Sequence, residues 1–260
     1  MALIEYRGLH KTFDMPVLAG VDLDVEQGEM LAMVGPSGTG KSVLLKTTIG
    51  LITPERGDVH VAGQSVFHSG RKGLQAIRRK VGYVFQHAAL FDSMTVFENV
   101  SLGISDEEQQ LIGRREVAIR VARVLEDVNL EPRQVLGKLP AELSGGMRKR
   151  VGLARSIVGR PRIVLYDEPV TGLDPVNSAA VHRLIVEASE RLGATSVLVT
   201  HDIEGALAIC DRVALLDGGL LRFLGTPAEF NSSREPLVQA FVDRTVAAQV
   251  AARNLEASRG

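Results

Sequence analysis

The chain has 260 residues, of which 45% are hydrophobic, and it carries a formal net charge of −1. This length and composition exclude a disordered chain and suffice for a full core, either as one large α/β domain or as a core with a subdomain. The near-neutral charge gives no indication of nucleic acid or an anionic membrane surface as the main partner.

Cysteine content and the terminal sequence indicate the compartment. The single cysteine, Cys210, excludes an internal disulfide and fits a reducing environment. The first residues lack the basic and then apolar run of a signal peptide, and no uninterrupted apolar stretch approaches the roughly 18 to 20 residues of a membrane span. We therefore expect a cytoplasmic protein, with any membrane span supplied by another chain.

Residues 3 to 30 contain short β-like segments, which predict an antiparallel layer packed on the rest of the chain. The segments are Leu3–Tyr6, Val17–Leu18 and Val21–Val25, with turns expected at Ala19-Gly20 and Gln27-Gly28. Phe13 lies in this layer. Its ring could stack on a nucleotide base, but a plain core or surface phenylalanine fits the pattern equally well.

A phosphate-binding P-loop follows, between a buried strand at Leu31–Val34 and a helix at Val43–Ile49. It matches G-x-x-x-x-G-K-[ST] at every fixed position, through Gly35, Pro36, Ser37, Gly38, Thr39, Gly40, Lys41 and Ser42. The glycines let backbone N–H groups turn inward, and the helix start adds a positive dipole end. These eight residues and Val43 are therefore the predicted ATP-binding set of the loop. Lys41 should reach the β- and γ-phosphates, and Ser42 should bind Mg²⁺.

Turns and short strands alternate from the P-loop helix to residue 86. A strand at Asp58–Val61 follows a turn at Thr53–Gly57, and a second strand at Val81–Phe85 leads into Gln86. The basic residues between these strands surround a predicted helix and are Arg71, Lys72, Arg78, Arg79 and Lys80. Because the net charge is near zero, we favour a solvated helix face over a binding patch.

Helical periodicity replaces the β pattern from His87 to about Gly159, which predicts a helical subdomain inserted into an α/β core. One apolar face is formed by Val117, Val121, Val124, Leu125 and Val128.

A second anion site is suggested by Ser144, Gly145 and Gly146, which open the predicted helix Arg148–Val158. A hydroxyl, glycine N–H groups and a helix start suit an anion, although a plain N-cap is the alternative. Since one chain cannot easily use both this loop and the P-loop for one ligand, we expect a two-fold dimer. In it, Ser144 of one subunit closes over ATP held by the P-loop of the other.

Two carboxylates end the predicted strand Ile163–Tyr166. Asp167 is expected to hold Mg²⁺, directly or through water, and Glu168 to polarise the attacking water. An acidic pair in solvent is the alternative, disfavoured beside a complete P-loop.

Gln86 and His201 also follow apolar strands of the predicted sheet, the second at Ser196–Thr200. Ligands of open α/β sheets lie beyond the carboxyl ends of the strands. We therefore expect Gln86 near Mg²⁺ or the attacking water and His201 near the γ-phosphate. A structural, hydrogen-bonded histidine is the alternative for His201.

The remaining segments complete a mostly parallel sheet with helices on both faces. Helices are expected at Ser178–Leu192 and Ile203–Cys210, and a hairpin at Val213–Leu216 and Leu220–Leu224. Residues 231 to 260 form a tail whose apolar helical stripe is Leu237, Val238, Phe241, Val242, Val246 and Val250. A stripe of this length should be covered, either by the chain's own core or by exchange onto a partner subunit.

The motifs stand in the order typical of the ATPase subunits of ABC transporters, and the sequence resembles that family over roughly residues 2 to 230. They are Gly35–Ser42, Gln86, Leu143–Met147, Ile163–Glu168, Thr171–Asp174 and His201. The resemblance implies an α/β P-loop NTPase core with a mostly parallel sheet, an N-terminal antiparallel layer and an inserted helical subdomain at about residues 87 to 159. We accordingly expect an ATPase domain at residues 1 to 230 and a helical tail at 231 to 260.

The resemblance also implies a role for each site residue. Lys41, Gln86, Glu168 and His201 would be catalytic, with Gln86 as the Q-loop residue, Glu168 as the base and His201 as the switch histidine. Phe13 would stack on the adenine, and Asp174 would be an aspartate at the dimer interface. The signature loop, which would contact the nucleotide bound by the other subunit, is Ser144, Gly145, Gly146 and Met147. Met147 stands where most members have Gln, and Phe13 where Tyr is frequent. Neither departure removes a group that the chemistry needs.

Within the family, Met147 and the segment Phe85–Val100 look most like the ATPases of MCE-linked, Mla-type phospholipid transporters. This implies an MlaE-like permease partner, an indirect link to a periplasmic MCE protein, a place on the cytoplasmic face of the inner membrane and no nucleic acid partner. We expect a permease coupling helix to dock near Gln86 to Val100. The alternatives are uptake of amino acids or other small polar solutes, and a soluble ABC ATPase acting in cofactor assembly, DNA repair or translation.

Overall fold

Two β-sheets form the centre of the molecule. The computed structural model describes residues 1 to 243. The first sheet is antiparallel and has the order β2-β1-β4-β5, with β1 at Ala2–Thr12, β2 at Pro16–Glu26, β4 at Arg56–Val61 and β5 at Gln64–Ser65. The second has six strands in the order β10-β9-β3-β8-β7-β6. Its strands are β3 Met30–Val34, β6 Val81–Val84, β7 Ile163–Asp167, β8 Thr195–Val199, β9 Arg212–Asp217 and β10 Leu220–Gly225.

Parallel pairing brings the predicted site segments to one edge of the second sheet. Strands β9, β3, β8, β7 and β6 run parallel, and only β10 turns back, as the antiparallel partner of β9. The P-loop, Glu168, His201 and Gln86 each follow one of these parallel strands, so they lie beyond the same carboxyl edge. The predicted parallel sheet and terminal hairpin are confirmed.

The helices cover this sheet and form the insertion. Before the insertion lie α1 at Lys41–Thr48 and α2 at Gly70–Arg78. The insertion contains α3 Val96–Ser101, α4 Asp106–Asp127, α5 Pro132–Val135, a 3-10 turn at Pro140–Glu142 and α6 Gly145–Ile157. The last helices are α7 Pro175–Leu192, α8 Ile203–Leu207 and α9 Pro227–Ser232. Within residues 1 to 243, none of the helices combines the length and the apolarity that crossing a bilayer requires.

Both faces of the parallel sheet are buried. In β7, Ile163 and Leu165 pack towards the antiparallel layer, while Val164 and Tyr166 pack in the core shared with the helical insertion. Alternate residues of a strand face opposite sides, so an entirely apolar strand needs a cover on each side. The predicted apolar face of α4 is buried in the second of these cores.

The predicted turn at Ala19-Gly20 is wrong, because β2 continues through it. Val21 pairs with Leu9 and Ala19 with His10, which leaves Gly20 as the extra residue of a β-bulge. Its φ of 104° is accessible to glycine, so the strand absorbs the irregularity without ending.

The boundaries of three helices also differ from prediction. Helix α6 begins at Gly145 and α7 at Pro175, each about one turn earlier than predicted, because Ser144 and Asp174 cap them. Helix α8 ends at Leu207 rather than at Cys210.

The first part of the C-terminal apolar stripe packs on the chain's own core. Residues 236 to 243 are helical, and Val238 and Phe241 are buried with Val34, Val213 and Phe230. Val246 and Val250 lie outside the described residues. Exchange onto a partner, and a domain boundary at residue 230, stay predictions.

Candidate active site

The P-loop is shaped by glycines that no other residue could replace without strain. Gly35, Gly38 and Gly40 have positive φ angles of 148°, 81° and 98°. A Cβ atom on Gly35 would lie 2.1 Å from the carbonyl oxygen of Leu216, and one on Gly40 would lie 2.7 Å from that of Val17. The loop therefore passes so close to neighbouring backbone that side chains are excluded.

Helix α1 begins directly after this loop with its N-terminal amides available. Its N-cap residue, Gly40, has a left-handed conformation. Among the described residues, no side chain caps the helix start by a hydrogen bond, and the first turn contains no acidic residue. Unsatisfied N–H groups and the positive end of the helix dipole favour an anion at this position.

Lys41 lies across the loop rather than in solvent. Its Nζ donates to the carbonyl oxygens of Gly35 at 2.9 Å and Pro36 at 2.7 Å. Burial lowers the pKa of Lys41, and the carboxylates of Glu168 and Asp167 offset part of this effect. The P-loop thus holds a buried ammonium close to two carboxylates.

Asp167 is buried at the end of β7 and accepts two hydrogen bonds from side chains. Ser42 Oγ donates to Asp167 Oδ1 at 2.6 Å, and the Tyr83 hydroxyl donates to Oδ2 at 2.9 Å. Burial raises the pKa of Tyr83 well above its ordinary value, and the charge of Asp167 raises it further, so the phenol stays a donor. Ser42 and Asp167, each predicted as a Mg²⁺ ligand, are thus in direct contact. Tyr83 was not predicted, although a tyrosine in an apolar strand usually needs a partner for its hydroxyl.

Glu168 has a backbone conformation that is rare for a residue with a side chain. Its φ is 54°, a left-handed value that costs energy and is maintained by surrounding contacts. Its Oε2 accepts a hydrogen bond from Thr171 Oγ1 at 3.0 Å and lies 2.6 Å from His201 Nδ1. The structure thus places Glu168 and His201 in direct contact, with Thr171 as a further orienting group.

Three other predicted residues lie at the periphery. Gln86 is exposed in a turn after β6. The Phe13 residue is 56% exposed, and Lys11 Nζ lies 5.1 Å from the centre of its ring. Asp174 is exposed as the N-cap of α7, where hydrogen bonds from the side chain and backbone of Asn177 lower its pKa. Their predicted roles require a bound nucleotide or a second subunit.

Ser144 caps the helix that follows the glycine pair. Its Oγ accepts a hydrogen bond from the Met147 amide at 3.2 Å, and both Ser144 and Gly145 are exposed. The N-cap alternative therefore describes the arrangement in this chain. Because the cap is exposed, it stays accessible to an anion supplied from outside the chain.

Together, the P-loop and the strand-end Asp167-Glu168 pair define a P-loop NTPase site. A family model described as ABC transporter matches residues 18–171, more than half of the chain. The chain belongs to the ABC transporter family, as an ATP-binding and ATP-hydrolysing subunit.

Curated relatives of the chain are ATP-binding proteins of transport and import systems. It is 41% identical over 222 residues to the methionine import ATP-binding protein MetN of Caulobacter vibrioides, covering 84% of this chain and 65% of that protein. It is 40% identical over 243 residues to the sulfate/thiosulfate import ATP-binding protein CysA of Xylella fastidiosa, covering 92% of this chain and 68% of that protein. A probable ribonucleotide transport ATP-binding protein, mkl of Mycobacterium leprae, is 38% identical over 247 residues, with coverages of 92% and 68%. The chain spans about two thirds of the length of these relatives.

Solved structures share the fold. The cbiO1 protein of Clostridium perfringens, part of the ABC transporter complex cbiONQ, superposes with a TM-score of 0.78 at 28% identity, covering 97% of this chain and 95% of that chain. The ATP-binding cassette MJ0796, in a dimeric structure bound to ADP and Pi, superposes with a TM-score of 0.77 at 31% identity, covering 86% and 98%. The expected ABC ATPase fold is confirmed.

Proposed function

We propose that the chain hydrolyses MgATP to power phospholipid transport through a separate permease. When ATP binds, its phosphate oxygens replace the carbonyl oxygens of Gly35 and Pro36 as the partners of Lys41 Nζ. Phe13 stacks on the adenine. Ser42 and Asp167 fit Mg²⁺, because their hydroxyl and carboxylate oxygens lie 2.6 Å apart and Mg²⁺ prefers oxygen ligands. Gln86 contacts the ion or the attacking water. When bound, Mg²⁺ neutralises charge on the β- and γ-phosphates.

Glu168 acts as the general base, and the observation that carries this role is its oriented carboxylate. The contacts with Thr171 and His201 fix Oε2 beside the strand ends where the P-loop also lies. A carboxylate held in this way can polarise a water molecule for in-line attack on the γ-phosphorus. His201, whose side chain is 61% exposed, is free on its outer side to hydrogen-bond the γ-phosphate.

A two-fold dimer completes each site. The exposed residues Ser144 and Gly145, with Gly146 and Met147 beside them, close over ATP held by the partner's P-loop, and Asp174 lies at the interface. Support for this arrangement comes from MJ0796, a relative whose structure is dimeric. Two ATP molecules are then enclosed between two copies of this chain.

The test of the base is Glu168→Gln, which keeps the shape of the side chain and most of its hydrogen bonding. We expect unchanged ATP binding, turnover reduced at least about a hundredfold because general-base assistance contributes that much, and accumulation of a closed dimer. Steady-state hydrolysis, nucleotide trapping and sedimentation measure these three properties.

The matched control is Glu190→Gln, an exposed glutamate on α7, which should retain wild-type turnover. Turnover of Glu168→Gln near the wild-type rate would show that another group acts as the base.

The permease docks near Gln86 to Val100, where an ordered loop exposes an apolar side chain. Asn99 is fully buried, and its amide donates to the carbonyl oxygens of Phe91, Met94 and Thr95. Its Oδ1 accepts from the Phe91 amide. Phe91 itself is 54% exposed, so the loop presents a fixed apolar residue to a partner helix.

The substrate assignment rests on Met147 and on the sequence of this docking segment. We propose an MlaE-like permease on the cytoplasmic face of the inner membrane, with a periplasmic MCE protein as an indirect partner and no role for nucleic acid. The second candidate is import of a small polar solute, which is favoured by the names of the curated relatives, since these include methionine, sulfate/thiosulfate and ribonucleotide.

A mild-detergent pull-down of the chain from its native membranes separates the candidates. We expect a permease, an MCE protein and bound phospholipid, identified by mass spectrometry of proteins and lipids. A solute permease with a binding protein would favour the second candidate. Recovery without any membrane protein would favour a soluble ABC ATPase. The control is the same pull-down with an unrelated bait protein on the beads, and the proteins recovered with it are subtracted as background.

A further inference from the structure

Lys149 connects helix α6 to the loop that carries the catalytic glutamate. It lies just over one turn after Ser144, and its Nζ donates to the carbonyl oxygens of Pro169 at 2.9 Å and Thr171 at 2.6 Å. Both carbonyls belong to the segment between Glu168 and α7. No motif or periodicity in the sequence indicates this contact, because it joins residues about twenty positions apart across two elements.

Thr171 continues this connection to the proposed base. Its carbonyl oxygen accepts from Lys149, while its hydroxyl donates to Glu168 Oε2 at 3.0 Å. Thr171 therefore joins Lys149 to Glu168, through its backbone carbonyl on one side and its hydroxyl on the other. The loop also contains the left-handed Glu168, and a strained conformation of this kind persists only where neighbouring contacts hold it.

The charge of Lys149 strengthens these contacts. Burial lowers the pKa of Lys149, while the negative charge of Glu168 acts in the opposite direction. Hydrogen bonds from a charged donor are shorter and stronger than those between neutral groups. The ammonium thus holds the loop through two carbonyl oxygens.

We propose that Lys149 is a positioning residue for ATP hydrolysis, which fixes the loop through which Thr171 orients the Glu168 carboxylate. Because Lys149 and Ser144 lie on the same helix, Lys149 also links the loop that closes over the partner's nucleotide to the base in its own subunit. The inference rests on the proposed role of Glu168.

The experiment compares Lys149→Met, which removes the donors, with Lys149→Gln, which keeps an amide donor without the charge. We expect Lys149→Met to lower kcat roughly tenfold, the size of effect expected for loss of one strong hydrogen bond, with KM for ATP unchanged. Lys149→Gln should recover part of this loss while still turning over about threefold more slowly than wild type. The control is Lys138→Met, a half-buried lysine of the helical insertion that makes neither of these contacts, and it should match wild type.

A double-variant cycle with Thr171→Val tests whether Lys149 acts through Thr171. If it does, the double variant loses no more kcat than the more damaged single variant, because the two residues act on one carboxylate. Losses that multiply, or a rise in KM with kcat unchanged, would overturn the inference. If Lys149→Met does not fold, wild-type kcat in Lys149→Gln overturns it as well.

Glu168→Gln measured in the same assay separates this inference from the proposed function. Wild-type turnover in Glu168→Gln would overturn the assignment of the base and the inference with it. An inactive Glu168→Gln with wild-type turnover in both Lys149 variants would leave the base standing and overturn the inference alone.

Discussion

Asp167 illustrates, at the scale of a single residue, how the protein orients a side chain of the proposed Mg²⁺ site. Ser42 is the last residue of the P-loop motif and lies in helix α1, whereas Tyr83 comes from the neighbouring strand β6. Each donates to a different oxygen of the carboxylate. A carboxylate oriented from both sides holds a metal ion more tightly than a free one, because its geometry is already fixed.

Tyr83→Phe should therefore weaken the response to Mg²⁺. The variant leaves Asp167 Oδ2 without its buried donor, and the concentration of Mg²⁺ that gives half-maximal ATP hydrolysis should rise about tenfold, as for loss of other groups that orient metal ligands. Stability should fall by about 1 to 3 kcal/mol, the cost of an unsatisfied buried acceptor. Magnesium titrations of turnover and urea unfolding measure the two effects.

Tyr6→Phe is the matched control. Tyr6 is also buried, and its hydroxyl lies 2.7 Å from Thr48 Oγ1 instead of contacting Asp167. We expect Tyr6→Phe to lower the free energy of unfolding without changing the Mg²⁺ concentration that gives half-maximal ATP hydrolysis. An equal shift in both variants would mean that Tyr83 affects the site only through general packing.

At the scale of elements, the sequence predicted those whose local pattern and tertiary role agree. Strands β3, β7 and β8 are short apolar runs buried on both faces, and they lie within about one residue of their predicted positions. The bulge at Gly20 was missed because a glycine in a strand and a glycine in a turn look alike in sequence. Distinguishing them requires knowledge of the strand that pairs with it.

In the site, too, features encoded by a local sequence pattern could be predicted, whereas contacts between distant elements could not. The placement of the P-loop, Asp167, Glu168 and His201 at one sheet edge could be predicted, because each is a local motif or a strand end on a parallel sheet. The contacts of Tyr83 and Lys149 could not, since they depend on how elements far apart in sequence are packed together. Side-chain contacts across elements carry no sequence period that a single chain could reveal.

At the scale of the whole molecule, the packing of α7 against α8 contributes a pH-dependent term to stability. His182 of α7 is buried, and a Cβ atom on Gly205 of α8 would lie only 2.2 Å from its Cε1. Its Nε2 has no hydrogen-bond partner among the described residues. Burial lowers the pKa of His182, with Asp202, 3.8 Å from Nδ1, opposing this effect.

The direction of the pH dependence follows from proton binding. In the unfolded chain His182 titrates near the ordinary histidine pKa of about 6.5, whereas in the folded protein it binds a proton only at lower pH. Between these two pKa values the unfolded state binds more protons, so the contribution of His182 to stability decreases as pH falls below about 6.5. Above that pH the residue is neutral in both states and its contribution is constant.

His182→Gln should therefore flatten the pH dependence of the free energy of unfolding. The glutamine keeps a polar side chain but does not titrate, so the difference in stability between wild type and variant should shift in favour of the variant as pH is lowered from 7.5 to 5.5. Urea unfolding followed by circular dichroism measures this difference, because the chain has no tryptophan. A His182→Gln curve parallel to that of the wild type would mean that His182 takes up its proton equally well in the folded and unfolded states.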